Sequence, residues 1–223
     1  MQIDPIAYFH SPFPTKFGIP KQSGLVESLK GTIVFEPDYR DVHALRGIEG
    51  FDYLWLIWQF NANSHQSESL VVRPPVLGGN DKVGVFASRS PYRPNGLGLS
   101  SVRLSAVDWD TPQGTVLHVL GADLMDGTPI FDIKPYLAYA DSHEEVRSGF
   151  TGAEHIHRLD VVVPPEVARG LPADQMETLR RVLSLDPRPA YQNSPKKVYG
   201  MPYEGHDVHF IVEGNQLRVL DLG

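Results

Sequence analysis

Residues 84–101, GVFASRSPYRPNGLGLSS, constrain the fold more than any other part of this sequence. Pro91 and Pro94 fix their own φ angles and push the residues before them towards extended conformations, so a regular helix cannot pass through. The preceding run, residues 82–87, is strand-like, and apolar and polar residues alternate over 101–106. The pattern predicts a stiff loop between two strands, with Val102, Leu104 and Ala106 on one face of the second.

This stiff loop carries two arginines, Arg89 and Arg93, among small neighbours. An accessible guanidinium group can bind a carboxylate or a phosphate through two parallel hydrogen bonds. Arginines that are merely solvated or paired with acidic side chains are equally consistent with the sequence. The loop is nevertheless where we expect the binding site.

The same stretch contains Gly96-Leu97-Gly98, which resembles part of a dinucleotide-binding loop. That motif must follow a strand and open a helix. Here it opens an alternating, strand-like segment, and the third glycine is missing. A nucleotide-like cofactor would therefore have to be held without a Rossmann site.

Composition favours a mainly β fold. The chain has 223 residues, enough for a proper core, and its 20 glycines and 19 prolines indicate many short elements and turns. The most apolar run, residues 51–60 (FDYLWLIWQF), predicts a strand buried on both faces. Towards the C-terminus, Met176, Leu179 and Leu183 follow helical spacing, and residues 209–212 and 217–220 read as a hairpin.

Charge and composition also exclude some classes. A net charge of −7 argues against nucleic-acid binding by bulk electrostatics, although a local basic patch remains compatible with it. There is no cysteine and no run of about 18 apolar residues. The N-terminus lacks a signal-peptide pattern. We expect a soluble, cytoplasmic protein with no membrane partner.

Several polar stretches allow a functional or a plain interpretation. Asp126-Gly127 is most simply a hairpin turn. Asp132 and Lys134 share a face, and could be an ion pair or a base beside an anion contact. Residues 186–192 (DPRPAYQ) end a helix, and could also supply an arginine and a tyrosine for contact with RNA. The pairs His155/His157 and His206/His209 have no clear third ligand, so no metal site is predicted.

Six segments in the same order resemble one family, the TsaA-like or TrmO proteins, which are S-adenosylmethionine-dependent tRNA methyltransferases. The matching segments are residues 17–22 (FGIPKQ), 45–51 with 54–58 (LRGIEGF and LWLIW), 72–75 (VRPP), 84–95 (GVFASRSPYRPN), 126–136 (DGTPIFDIKPY) and 186–191 (DPRPAY). The resemblance implies an antiparallel β-barrel with a small α+β C-terminal domain, a homodimer, and methylation of N6 of threonylcarbamoyladenosine beside the tRNA anticodon. With the polar segment at 141–147, it places the barrel domain at 1–145 and a tRNA-contacting extension at 146–223.

The resemblance also implies site residues. For S-adenosylmethionine they are Pro20, Lys21, Gln22, Asn61, Arg89, Leu99, Met125, Asp126, Gly127 and Thr128. For the substrate we assign Arg93, Lys134, Tyr136, Arg188 and Tyr191. A ureido nitrogen is a poor nucleophile whose proton must be lost, so Asp132 is the candidate base. The competing hypothesis is a non-catalytic barrel that binds a nucleotide or RNA.

Overall fold

The computed structural model describes residues 2–63, 69–78, 80–152, 156–188, 194 and 197–223. Its strands are β1 (Ala7–His10), β2 (Lys30–Phe35), β3 (Tyr53–Gln59), β4 (Val71–Val72), β5 (Val83–Gly84), β6 (Leu97–Thr111), β7 (Gly114–Leu120), β8 (Thr128–Pro135), β9 (Asp160–Val162), β10 (Tyr199–Tyr203), β11 (His206–Glu213) and β12 (Gln216–Asp221). The α-helices are α1 (Ala138–Asp141), α2 (Pro165–Ala168) and α3 (Ala173–Ser184). Short 3-10 helices occupy Pro37–Tyr39, Val42–Leu45, Ile48–Gly50, Pro75–Leu77, Val85–Ala87 and Gly149–Thr151. No described helix is long and apolar enough to cross a membrane.

A closed antiparallel barrel with strand order β1-β2-β7-β6-β3-β8 forms the first part of the chain. Its interior is filled by side chains that recur with a period of two, among them Phe9, Ile33, Leu54, Leu117 and Ile130. The predicted mainly β fold with an antiparallel barrel is confirmed.

The apolar strand β3 differs from its prediction. Leu54, Leu56 and Trp58 are buried, but Tyr53 is 43% exposed, so the strand is not buried on both faces. A strand in a closed barrel wall has one face inside and one outside. The outward residues Trp55 and Ile57 of β3 are apolar because they line a cavity.

Both strands that flank the stiff loop with Arg89 and Arg93, here called the arginine loop, also differ in detail from their predictions. Only Val83 and Gly84 of the run over 82–87 pair as a strand, because the fully buried Val85 begins a 3-10 turn that the amide of Ser88 closes. In β6 the register shifts between Leu104 and Ala106. A bulge of this kind reverses the inward and outward alternation, so Ala106 is exposed and does not continue the face of Val102.

The C-terminal residues form a second sheet, β10-β11-β12-β9, in which β9 runs parallel to β12. The predicted helix and hairpin are confirmed as α3 and β11–β12. Strand β10 is not evident from the sequence, because it contains Gly200 and Pro202. As an edge strand, it tolerates a residue that cannot donate a hydrogen bond.

The core of this sheet extends into the N-terminal part of the chain. Phe13, Val26 and Leu29, which lie between β1 and β2, are buried in one cluster with residues of α3 and β10–β12. The segment between β1 and β2 is therefore held by the barrel and by the C-terminal sheet. This packing fixes the segment as one wall of a cavity.

Candidate active site

A cavity of about 700 Å³ lies where the arginine loop meets the segment between β1 and β2. Its volume is in the range usual for small-molecule sites. The outward side chains of Trp55 and Ile57 line it, which explains why the outer face of β3 is apolar. The arginine loop contributes Ser88, Arg89 and Arg93 to the cavity lining.

Arg89 extends from the loop to the opposite wall, where it donates a hydrogen bond to the side-chain oxygen of Gln22. Arg93 donates to the carbonyl oxygens of Ser88 and Ser90, at 3.1 and 3.4 Å. It therefore stiffens the loop from within while it lines the cavity and an adjoining one of about 190 Å³. The prolines and this arginine together hold the loop rigid.

One functional candidate was not found from the sequence. The carboxyl group of Asp123 lines the cavity and accepts a hydrogen bond of 2.6 Å from the hydroxyl of Ser100. Ser100 in turn accepts one of 2.9 Å from the indole nitrogen of Trp58. Because an indole N–H can only donate, the Ser100 proton is directed at Asp123. The only available signal was an acidic residue inside the apolar run GADLM.

The surroundings of Asp123 disfavour its charge. Burial raises the pKa of this carboxyl above its ordinary value, although hydrogen bonds from Ser100 and from the backbone of Asp123 and Ser23, and the charge of Arg89, oppose the shift. A half-buried carboxyl group in a cleft with a perturbed pKa is a typical functional-site feature.

The cavity wall between β1 and β2 is held by the C-terminal sheet. Phe17 stacks on Phe210, with ring centroids 6.5 Å apart and planes 8° from parallel. Gly18 has a φ of +93°, and a Cβ atom there would lie 2.2 Å from the sulfur of Met201. The neighbouring residues Ile19 to Gln22 line the cavity.

The histidine pair His206/His209 is not part of the cavity lining. Nδ1 of His209 is 2.6 Å from Asp221, and Nδ1 of His206 is 3.1 Å from the carbonyl oxygen of Leu222. His155 lies outside the described residues. Within the described ranges, no three histidine or acidic residues are grouped so that they could hold a metal ion.

With this geometry in place, comparison with known proteins gives the family. A model described as the tRNA-methyltransferase O N-terminal domain matches residues 8–142, and the TrmO C-terminal domain matches residues 157–223. The chain belongs to the TrmO family. It is 37% identical over 237 residues to a "Putative S-adenosylmethionine-dependent methyltransferase RcsF" of Pseudomonas aeruginosa, covering 99% of this chain and 96% of the relative.

Other TrmO relatives agree with this assignment. A "tRNA (adenine(37)-N6)-methyltransferase" of Escherichia coli is 36% identical over 230 residues, which cover 100% of this chain and 94% of the relative. The solved structure titled "Crystal structure of TrmO from Pseudomonas aeruginosa" superposes with a TM-score of 0.78 at 32% identity, covering 100% of this chain and 98% of that one.

The cofactor positions implied by the TrmO resemblance fall largely together. Those that line the cavity are Pro20, Lys21, Gln22, Asn61, Arg89, Leu99, Met125 and Thr128. Asp126 and Gly127 are not in the lining. Their amides bond the carbonyl oxygens of Phe13 and Phe9, the Asp126 carboxylate contacts His10 at 3.1 Å, and Asn61 donates to the Gly127 carbonyl.

The substrate positions expected of this TrmO member are more scattered. Arg93 lines the cavity, whereas Asp132, Lys134 and Tyr136 do not. Asp132 pairs with Ile57 across β8 and β3, so its side chain lies on the outer face next to the cavity wall, 3.9 Å from Lys134. Tyr136 packs against Trp55, with ring centroids 5.6 Å apart.

Arg188 is already paired in the structure. Its guanidinium group makes two hydrogen bonds of 2.8 Å to the carboxylate of Asp186, and its side chain is only 11% exposed. Although partial burial opposes ionisation, Arg188 lowers the pKa of Asp186, with a smaller contribution from Lys21 of the cavity wall. Neither Asp186 nor Arg188 is in the cavity lining. Tyr191 lies outside the described residues.

Proposed function

We propose that this chain is an S-adenosylmethionine-dependent methyltransferase that acts on N6 of threonylcarbamoyladenosine beside the anticodon of tRNA. The observation that carries the proposal is the cavity. In a chain that belongs to the TrmO family along its length, most of the residues implied to hold the cofactor line one cavity beside a stiff cationic loop.

The lining suits S-adenosylmethionine chemically. Ile19, Leu97 and Met125 offer apolar surface for the adenosine and thioether parts, while Lys21 and Arg89 offer positive charge for the carboxylate. S-adenosylmethionine supplies a methyl group activated by a positively charged sulfur. The contribution of this chain is alignment, which a rigid loop favours because in-line transfer depends on position.

We assign the binding of the methyl acceptor to residues at the rim of the cavity. Arg93 lies between the large and the small cavity, where its remaining N–H groups could hold the threonyl carboxylate of the substrate. Asp132 lies on the outer face next to Ile57, and we assign to it removal of the ureido proton. Lys134 and Tyr136, on the same side, are assigned to phosphate contact and to stacking.

We further propose that residues 146–223 extend the tRNA-binding surface and that residues 1–145 carry the chemistry. The pKa of Asp186 supports this, because the charge of Lys21, which lines the cavity, helps to lower it, and Asp186 holds Arg188. Tyr191 follows closely in the sequence. The overall charge of −7 means that binding rests on such local positive groups.

A homodimer acting in the cytoplasm completes the proposal. Leu99 is 59% exposed beside Ile57 on the outer face of the barrel, and Phe86 of the arginine loop is 75% exposed. Exposed apolar side chains next to a site are typical of an interaction surface. Sedimentation analysis tests the dimer, and a monomer at micromolar concentration would contradict it.

The decisive experiment is methyl transfer. Purified protein with labelled S-adenosylmethionine should label tRNA that carries threonylcarbamoyladenosine and leave unmodified tRNA unlabelled. The competing hypothesis of a non-catalytic nucleotide- or RNA-binding barrel predicts binding without transfer. Absence of label on the modified tRNA would overturn the proposal.

Two variants assign the roles. Arg89→Ala should abolish cofactor binding, whereas Arg218→Ala, an exposed arginine on β12, should leave it unchanged. Asp132→Asn should slow transfer without altering cofactor affinity, because the assigned role concerns only the acceptor proton. Unchanged cofactor affinity in Arg89→Ala would refute the assigned site.

A further inference from the structure

The charged side chains that line the main cavity are strongly unbalanced. Lys16, Lys21, Arg89 and Arg93 are cationic, and Asp123 is the single acidic side chain among the described lining residues. S-adenosylmethionine carries a sulfonium, an α-ammonium and one carboxylate. A net cationic ligand in a net cationic cavity requires an anionic contact, and Asp123 is the group that can provide it.

Asp123 is oriented by a chain of hydrogen bonds from the barrel interior. Trp58 donates to Ser100, and Ser100 donates to Oδ1 of Asp123, so this oxygen is an acceptor with its partner already in place. Trp58 and Ser100 are 6% and 1% exposed, so the chain is held in the barrel interior. No other side chain in the described ranges hydrogen-bonds this carboxyl group. A carboxyl group that lines a cavity and is held by Ser100 and by the backbone of Ser23 and Asp123 is pre-organised for a ligand donor.

Arg89 lies close enough for its charge to act on Asp123, yet no ion pair within 4.0 Å joins them, and Arg89 donates its hydrogen bond to Gln22 instead. Opposite charges that share a cavity without neutralising each other match the α-amino acid zwitterion, whose ammonium and carboxylate are a few ångströms apart. This complementarity distinguishes the amino acid end of the cofactor from its adenosine end, which carries no such pair.

We propose that Asp123 is the ligand-binding carboxylate of this cavity, which holds the α-ammonium group of the cofactor while Arg89 serves its α-carboxylate. The inference rests on the proposed function, because it takes S-adenosylmethionine as the ligand. Ser100 is a positioning residue that acts through Asp123. The main alternative is that Asp123 removes the acceptor proton.

The test measures affinity without turnover. Wild type, Asp123→Asn and the surface control Asp110→Asn are titrated calorimetrically with S-adenosylhomocysteine, which keeps the amino acid end, and with 5′-methylthioadenosine, which lacks it. Asp123→Asn should bind S-adenosylhomocysteine about 10- to 100-fold more weakly, as expected for a lost charge-assisted contact. Its affinity for methylthioadenosine should stay within about threefold of wild type. Asp110→Asn should match wild type for both ligands.

Other results overturn the inference. Equal weakening towards both ligands would make Asp123 a structural residue. Unchanged affinity for S-adenosylhomocysteine with slower methyl transfer would make it a base. In either case the proposed function stands if the wild type binds S-adenosylhomocysteine and transfers methyl groups. A wild type that binds neither ligand would overturn both the proposed function and this inference. Ser100→Ala should give a smaller selective loss, and melting curves of each variant show whether it is folded.

Discussion

Gly98 of β6 faces Trp58 of β3, and the indole ring occupies the space that a side chain at Gly98 would need. A Cβ atom there would lie 2.3 Å from Cε2 of Trp58. Because the same indole donates to Ser100, this packing contact fixes one end of the hydrogen-bond chain to Asp123. The glycine is therefore part of the site through its lack of a side chain.

Gly98→Ala should consequently reduce both stability and ligand binding. Forcing a methyl group into a closed contact costs about 1–3 kcal/mol of unfolding free energy, and displacing Trp58 disturbs Asp123. Gly50→Ala is the control, since a Cβ atom there meets nothing within 4 Å. Chemical denaturation and titration with S-adenosylhomocysteine provide the readouts. A Gly98→Ala variant as stable as the control would show that the ring moves freely.

Gly18 and Gly24 offer a matched pair for the cavity wall. Both have a left-handed φ, +93° and +81°, so alanine is strained at either position. Only at Gly18 would the added atom also meet Met201 and push the wall away from the C-terminal sheet. Gly18→Ala should weaken cofactor binding about tenfold more than Gly24→Ala. Equal affinities for the cofactor would mean that contact with Met201 does not position residues 19–22.

The Asp186–Arg188 pair can be tested for structure and recognition separately. Removing either partner should cost about 1–3 kcal/mol of unfolding free energy, and the double variant little more, because both changes break the same hydrogen bonds. Cofactor affinity should not change, since Arg188 is outside the cavity lining.

If Arg188 also contacts the substrate, variants that change the charge of the pair should change the KM for tRNA. Arg188→Ala should raise the KM for tRNA, whereas Asp186→Asn, which frees the guanidinium group, should leave it unchanged or lower it. Both variants raising KM equally would mean that the pair acts only through stability. These steady-state measurements use the modified tRNA at saturating S-adenosylmethionine.

The sequence predicted the elements whose signals are local. The prolines around Arg89 and the alternation after Gly98 identify the loop and strand β6, and helical spacing identifies α3. The bulge after Leu104 and the edge strand with Pro202 were missed, although each pairs with the next strand along the chain. The bulge lies inside an uninterrupted alternating run, and Gly200 and Pro202 break the strand pattern of β10.

The site shows the same division. Arg89 was evident as a candidate because the prolines and small residues that surround it are adjacent in the sequence. Asp123 was not, because its significance comes from Ser100 on β6, 23 positions away, and from Trp58 on β3. The apolar face of β3 was read as buried, since a strand lining a cavity and a strand inside a core have the same composition.

Asp123→Asn should be at least as stable as wild type at neutral pH, even though it loses ligand affinity. Burial raises the pKa of Asp123 in the folded chain above its ordinary value of 3.8. A carboxyl group shifted in this direction favours the fold fully below its unfolded pKa, and this contribution is lost as the pH rises through the folded pKa. Asparagine avoids that loss, and its side-chain oxygen can still accept from Ser100.

The stability difference between Asp123→Asn and wild type should therefore move in favour of the variant as the pH rises from about 4 and become constant once the native carboxyl group is ionised. Denaturation across this pH range measures it, with Asp110→Asn as the control for an exposed carboxylate. The opposite slope would mean that Ser100, the backbone amides and Arg89 together stabilise the charge more than burial opposes it. A variant that gains stability while it loses affinity is the expected signature of a charge retained for binding.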